Sequence, residues 1–159
     1  MRELDVVGVR VDVPSNAPIL LLQESGGSRV IPIWIGAAEA SAIANALEGV
    51  VPPRPLTHDL MAQLLSELGH TQVSARITAM KEGPEEGGIF HAELEVDGHV
   101  LSARPSDVVA LAVRSGIVIT APEELLDQVG VELEQPAQDE VERFREFLDS
   151  VSPDDFEES

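Results

Sequence analysis

From Leu4 to Val13 the apolar residues fall mostly at every second position (Leu4, Val6, Val9, Val11, Val13), with one slip at Val7–Gly8 that suits a β-bulge, so the pattern predicts a strand. Two short apolar runs follow, Ile19–Leu22 and Val30–Ile35, joined by Glu24-Ser25-Gly26-Gly27-Ser28, which reads as a hairpin connection. Pro32 has no N–H to give to a ladder, so it belongs on an edge or at a bulge. The period then changes. Ala37–Glu48 is rich in helix formers and stops at Gly49, as a helix with a left-handed terminal residue does. After a loop with three prolines, Thr57 is expected to cap a second helix that ends at Gly69 and carries one apolar stripe, Leu60, Met61, Leu64, Leu65 and Leu68.

Thr71–Met80 and Ile89–Val96 alternate again across the acidic, glycine-rich link 81–88, and Asp97-Gly98 is a two-residue hairpin signal leading into His99–Ala103. Ser106 is expected to cap Asp107–Ser115, which is apolar on nearly every side and therefore predicted to be buried. Ile117–Thr120 reads as a short buried strand, and Pro122 opens a helix running to about Val129. These elements predict an α+β domain over residues 1–131, a compact single domain with a mixed or antiparallel sheet and about four helices. Residues 132–159 read as a linker, an acidic amphipathic helix from about Asp139 to Asp149 with Val141, Phe144, Phe147 and Leu148 on one face, and a polar tail.

Charge sharpens that division. The 159 residues carry 29 Asp+Glu against 10 Lys+Arg, a formal net charge of −19, which alone argues against nucleic acid as a partner. Yet residues 1–121 account for only −7 and residues 122–159 for −12, so the surplus sits in the last quarter of the chain. A hydrophobic content of 43% with mean hydropathy +0.05 excludes a disordered acidic chain. The absence of cysteine excludes disulfides, thiolate-bound zinc, iron–sulfur clusters and a cysteine nucleophile. With no signal-peptide-like run and no stretch apolar enough to span a bilayer, the expectation is a cytoplasmic protein that does not enter membranes.

Two segments rhyme: Arg54-Pro55-Leu56-Thr57-His58-Asp59 and Arg104-Pro105-Ser106-Asp107. Each places Arg-Pro before a hydroxyl residue and then an Asp in the first helical turn. Capping and dipole complementation account for each one alone. Their repetition also offers two helix N-termini flanked by arginines, an arrangement able to hold a phosphodiester. His58 beside Asp59 is the best candidate for a general base or a metal ligand, and Glu39, Asp59 and Asp107 are a candidate carboxylate set for Mg²⁺ or Mn²⁺. Arg54 and Arg104 would stabilise charge on phosphoryl oxygens, with Thr57, Ser106 and Arg114 as further substrate-binding candidates. The competing account makes the same residues structural: Arg104 or Arg54 would pair with Asp107 or Asp59. His70, His91 and His99 show no ligand spacing and read as surface residues. There is no phosphate-binding glycine loop, HExxH or G-x-S-x-G, and the lack of tyrosine leaves few platforms for base stacking.

The ordered motifs Pro32-Ile33-Trp34-Ile35-Gly36 with Glu39-Ala40, then Arg54–Leu60, then Ala103–Asp107 with Ala110-Leu111-Ala112 and Arg114, resemble the bifunctional nuclease (BFN) domain family over roughly residues 1–131. The resemblance implies a compact α+β fold and DNase and RNase activity. Ser102 stands where that family often has an Asp just before Ala-Arg-Pro-Ser-Asp. Two functions from different classes are therefore carried forward. One is a nuclease acting on DNA or RNA, probed by cleavage with and without EDTA. The other is a non-enzymatic interaction or regulatory protein whose Arg/Asp motifs are ion pairs and caps. The direction of the arginines, into a closed network or an open cleft, separates them. A protein partner for the acidic tail, which could also cover the site as a nucleic-acid mimic, and a twofold dimer formed through exposed edge strands, complete the expectations.

Overall fold

A computed structural model of the chain describes residues 1–83, 88–132 and 145–146. Two antiparallel meanders build one eight-stranded sheet. The first comprises β1 (Arg2–Asp12), β2 (Ala17–Glu24) and β3 (Arg29–Trp34); the second comprises β4 (Val73–Lys81), β5 (Ile89–Val96) and β6 (His99–Ala103). A three-residue strand, β7 (Ile119–Ala121), joins them, running antiparallel to β1 and parallel to β4. A two-residue strand, β8 (Val131–Glu132), pairs with Arg29 and Val30 of β3. The strand order is β6-β5-β4-β7-β1-β2-β3-β8. The sheet is therefore mixed and the domain α+β, as expected.

Strand register follows the alternation. Leu4, Leu20, Leu22, Ile31 and Ile33 of the first meander and Ala75, Ile77, Ala92 and Leu94 of the second are buried. Cross-strand pairs such as Leu20↔Ile33, Leu22↔Ile31 and Ile77↔Ala92 place them on one face. The slip at Val7–Gly8 is a register shift between Val6 and Gly8, and Gly8 takes a φ of 147° there, open to glycine and costly for other residues. Asp97 and Gly98 both have positive φ (47° and 84°), the two-residue turn that the sequence signalled. Pro32 lies past the end of the β3–β8 pairing, on a stretch of β3 with no outer neighbour among the described residues, so its missing N–H costs no ladder bond.

Helices pack on the apolar face. α1 (Ala37–Leu47) lies against β1 and β2, and α3 (Pro105–Ser115) lies against β4 and β5 and touches both α1 and α2 (Thr57–Glu67). α3 is the central element: Val108 through Ala112 are all buried. α4 (Glu123–Val129) packs Leu125 and Leu126 into the same core. Arg29 fastens this helix to the sheet, bonding Glu24 (2.9 Å), Glu123 (2.8 Å) and Asp127 (2.7 Å). The Arg29 hydrogen bonds hold the Glu24 carboxyl below the usual range, and the hydrogen bond from Arg2, then that from Arg29, pushes Glu123 down to about 2.

Three expectations need correction. Thr57 and Ser106 are not caps: extended Leu56 and Arg104 occupy the cap positions, and neither cap makes a side-chain hydrogen bond. Thr57 is the first residue of α2, and Ser106 follows the first residue of α3. The apolar stripe of α2 is not the core stripe. His58, Met61, Ala62 and Leu65 turn toward α3 and the core, whereas Leu60, Leu64 and Leu68 remain exposed, because α2 rests on α3 rather than on the sheet. Finally, residue 132, read as linker, is part of β8. The helix expected over 139–149 lies outside the described residues apart from Arg145 and Glu146. No described helix is long and apolar enough to cross a membrane.

Candidate active site at three helix starts

The three helices α1, α2 and α3 each carry an acidic residue at their third position: Glu39, Asp59 and Asp107. Each carboxylate sits where the helix dipole and free amides favour negative charge. Packing of α1 and α2 against α3 then brings the three starts within reach of two arginines.

A continuous chain of contacts links Glu39, Arg104, Asp107 and His58. Arg104 Nη2 donates to Glu39 Oε1 at 3.0 Å, and Arg104 Nε donates to Asp107 Oδ2 at 2.8 Å. His58 Nε2 lies 3.0 Å from Asp107 Oδ1. Burial by itself raises the Asp107 pKa, yet the hydrogen bonds from Arg104 and His58 outweigh it and hold the carboxyl below its ordinary value. Ionised Asp107 can only accept, so the hydrogen of this bond belongs to His58 Nε2. In an imidazole that carries its one hydrogen there, the lone pair lies on Nδ1, which has no hydrogen-bond partner among the described residues. His58 is buried whereas the Arg104 side chain is 65% exposed, so an anchored imidazole sits behind a guanidinium that solvent can reach.

Gly36, at the start of α1, contributes through its missing side chain. A Cβ there would run into Glu39 Oε2, so the carboxylate folds over the glycine to meet Arg104.

A second network is closed. Arg114 Nε donates to Asp59 Oδ1 at 2.7 Å, while its other nitrogens donate to the carbonyls of Ala110 (2.7 Å) and Ala42 (3.0 Å). Asp59 also accepts from the Leu56 amide at 2.9 Å. The Arg114 hydrogen bond, then the Leu56 amide, keep the Asp59 carboxyl below its ordinary value. One residue each from α2 and α1 is thus tied to the last turn of α3. A cleft of about 550 Å³ under the triple-proline loop opens on this pair, with Val50, Pro52, Pro53 and Gln63 among its walls.

The structure therefore divides the candidates. It brings Glu39, His58, Arg104 and Asp107 together and sends Asp59 and Arg114 to a separate ion pair. Asp59 pairs with Arg114, not with Arg54 or Arg104. Arg54 is exposed and makes no ion pair among the described residues, and neither the Thr57 nor the Ser106 hydroxyl makes a hydrogen bond among them. The proposed carboxylate set does not fit a divalent cation: Glu39 and Asp107 are bridged by the guanidinium of Arg104, and Asp59 is held elsewhere by Arg114. Among the described residues no three His, Asp or Glu side chains gather as a metal site. The His58–Asp107 contact spans 49 residues and had no local signal, whereas the Arg104–Asp107 bond is an i,i+3 pair that the motif itself suggested.

Fold and site together define a two-meander α+β domain with an acid–arginine–histidine network at its helix starts. A model of the bifunctional nuclease domain matches residues 20–134, and the chain belongs to that family. The chain is 50% identical over 166 residues to a Mycobacterium tuberculosis (strain H37Rv) protein described as uncharacterized, with 98% of each chain covered. It is 24% identical over 137 residues to bifunctional nuclease 1 of Oryza sativa subsp. japonica and, to the same extent, to the bifunctional nuclease of Oryza minuta; 85% of this chain aligns with 41% of each rice protein.

Proposed function

We propose that the protein hydrolyses phosphodiester bonds of nucleic acid, with His58 as general base, Asp107 as the residue that orients it, and Arg104 as the phosphate-binding group. The observation that carries this reading is the Asp107 carboxylate shared between His58 Nε2 and Arg104 Nε. Asp107 fixes the tautomer, and His58 Nδ1 takes the proton from an attacking water. Arg104, exposed and already charged, meets a phosphoryl oxygen and stabilises the charge that develops there. Glu39 holds Arg104 in place from the opposite side.

Cleavage of labelled single- and double-stranded DNA and RNA, with and without EDTA, tests the proposal. A positioned general base contributes about 10²–10⁴-fold, so His58→Ala is expected to lose at least about a hundredfold in rate, with Asp107→Asn close behind. Cleavage that persists unchanged in His58→Ala refutes this assignment. One observation favours a second reading, that of a non-enzymatic interaction protein: Asp59 and Arg114 form the inward, closed ion pair that a purely structural motif predicts. Absence of cleavage on all four substrates, together with loss of thermal stability in the Asp59 and Arg114 variants, would select that reading.

A further inference from the structure

The pair of Asp59 and Arg114, which the proposed hydrolysis does not use, lines the cleft of about 550 Å³ under the triple-proline loop. Among the described residues these are the two charged side chains in its walls. Arg114 Nε holds Asp59 Oδ1 at 2.7 Å, so the pair is neutral overall and draws neither a free cation nor a free anion. Most of the remaining wall is apolar, with Val50, Pro52, Pro53 and Val113 in it. One further polar side chain lines the cleft: Gln63, exposed and without a hydrogen-bond partner among the described residues.

Asp59 is not saturated by its partners. An ionised carboxylate has about four lone-pair sites. Oδ1 accepts from Arg114 and Oδ2 from the Leu56 amide at 2.9 Å, so each oxygen keeps acceptor capacity, and the side chain is 22% exposed. The complement of this wall is a flat, uncharged molecule with two adjacent N–H donors. A guanidinium has the donors but brings a positive charge that Arg114 opposes, and a peptide amide has a single donor. Among the nucleobases only guanine sets two neighbouring donors, N1–H and the N2 amino group, beside an acceptor, O6. Adenine and cytosine set one donor beside an acceptor, and uracil has one donor between two acceptors.

We propose that this cleft binds a guanine base, with N1–H and the N2 amino group donating to the Asp59 carboxylate and the Gln63 amide donating to O6. The rings of Pro52 and Pro53 supply an apolar platform that needs no aromatic side chain. Resting on the reading of the protein as a nuclease, the base belongs to the substrate strand. Asp107 and Arg114 are seven residues apart on α3, so the base site lies about 10 Å from the phosphate site, within the span of a short single strand. Pairing in a duplex occupies the same edge of guanine, so the cleft takes an unpaired base. Arg54, between the wall residues Pro53 and Pro55, is exposed and has no acidic partner among the described residues, which leaves it available to the phosphate attached to that base.

Calorimetric titration of the full-length chain with GMP, IMP, AMP, CMP and UMP is the test. GMP is expected to bind at least about tenfold more tightly than AMP, CMP or UMP, and IMP, which keeps N1–H and O6 but lacks the N2 amino group, is expected to fall between them. Asp59→Asn replaces one acceptor by a donor and is expected to abolish the preference. Gln63→Ala, at an exposed position, is expected to weaken GMP severalfold with an unchanged circular dichroism spectrum. The comparison of GMP with IMP needs no variant, so it decides the matter even where Asp59→Asn fails to fold. Equal binding of the four common nucleotides, IMP binding as tightly as GMP, or a preference indifferent to Gln63→Ala overturns the proposal. Guanine preference in a chain that cleaves none of the nucleic-acid substrates supports the cleft and refutes the hydrolysis; cleavage without guanine preference does the reverse.

Discussion

Removing the Arg114 guanidinium while keeping its aliphatic stem, in Arg114→Met, isolates the contribution of the closed ion pair. The side chain is 10% exposed and its Asp59 partner 22%, so both charges are largely withdrawn from water. The substitution deletes the bond to Asp59 and the one to the Ala42 carbonyl of α1; the Ala110 carbonyl keeps its helical partner. A hydrogen bond to a charged group contributes about 1.5–3 kcal/mol, and Asp59 is left with only the Leu56 amide. Because Asp59 retains some solvent, the full penalty of about 3–5 kcal/mol for stranding a buried charge does not apply. The expected loss is therefore about 3 kcal/mol, which for a domain of this size lowers the melting temperature by about 10 °C. Thermal and urea melts measure it, and a double-mutant cycle with Asp59→Asn apportions it. The double mutant should be little worse than Arg114→Met, with a coupling energy above about 1 kcal/mol. The pH dependence supplies a second signature. A carboxyl whose folded pKa is lowered contributes stability that is present above the unfolded value, about 3.9, and is lost as pH falls through the folded value. The gap between wild type and Arg114→Met should accordingly be full at neutral pH and narrow below about pH 4. A melting temperature within about 2 °C of wild type, or zero coupling in the cycle, refutes the reasoning.

Gly36→Ala should push Glu39 away from Arg104 without straining the backbone, whose φ of −74° suits any residue. Stability is expected to fall by no more than about 1 kcal/mol, as for an exposed ion pair, while the Arg104 Nε resonance moves; a loss of several kcal/mol contradicts this placement. An NMR titration of Glu123 should give a midpoint near 2 in the wild type and a higher one in Arg29→Ala, with a wild-type midpoint above 4 counting against the clamp on α4. Gly98→Ala forces a side chain into the left-handed turn at φ 84° and should cost about 1–2 kcal/mol in denaturant melts; no change would show that the β5–β6 hairpin tolerates another turn.

The periodic pattern and its glycine punctuation determined most of the elements, the bulge at Gly8, the turn at Asp97-Gly98, the left-handed end at Gly49, and the burial of α3. These depend on the local backbone and on which face each side chain takes, and both are written in spacings of two and of three to four residues. The paired Arg-Pro motifs also marked two of the three helix starts at which charge gathers. Only the tertiary structure decided which charges meet. Asp59 and Asp107 occupy equivalent places in similar motifs, yet α2 lies across α3 so that Asp59 reaches the last turn of that helix and Arg114, while His58 reaches its first turn and Asp107. The same crossing turned His58 inward and left Leu60, Leu64 and Leu68 outside, a choice that an apolar stripe cannot make because it states a preference for burial and not the partner. Sequence places charges on faces; the packing of α1 and α2 against α3 decides which of them become neighbours.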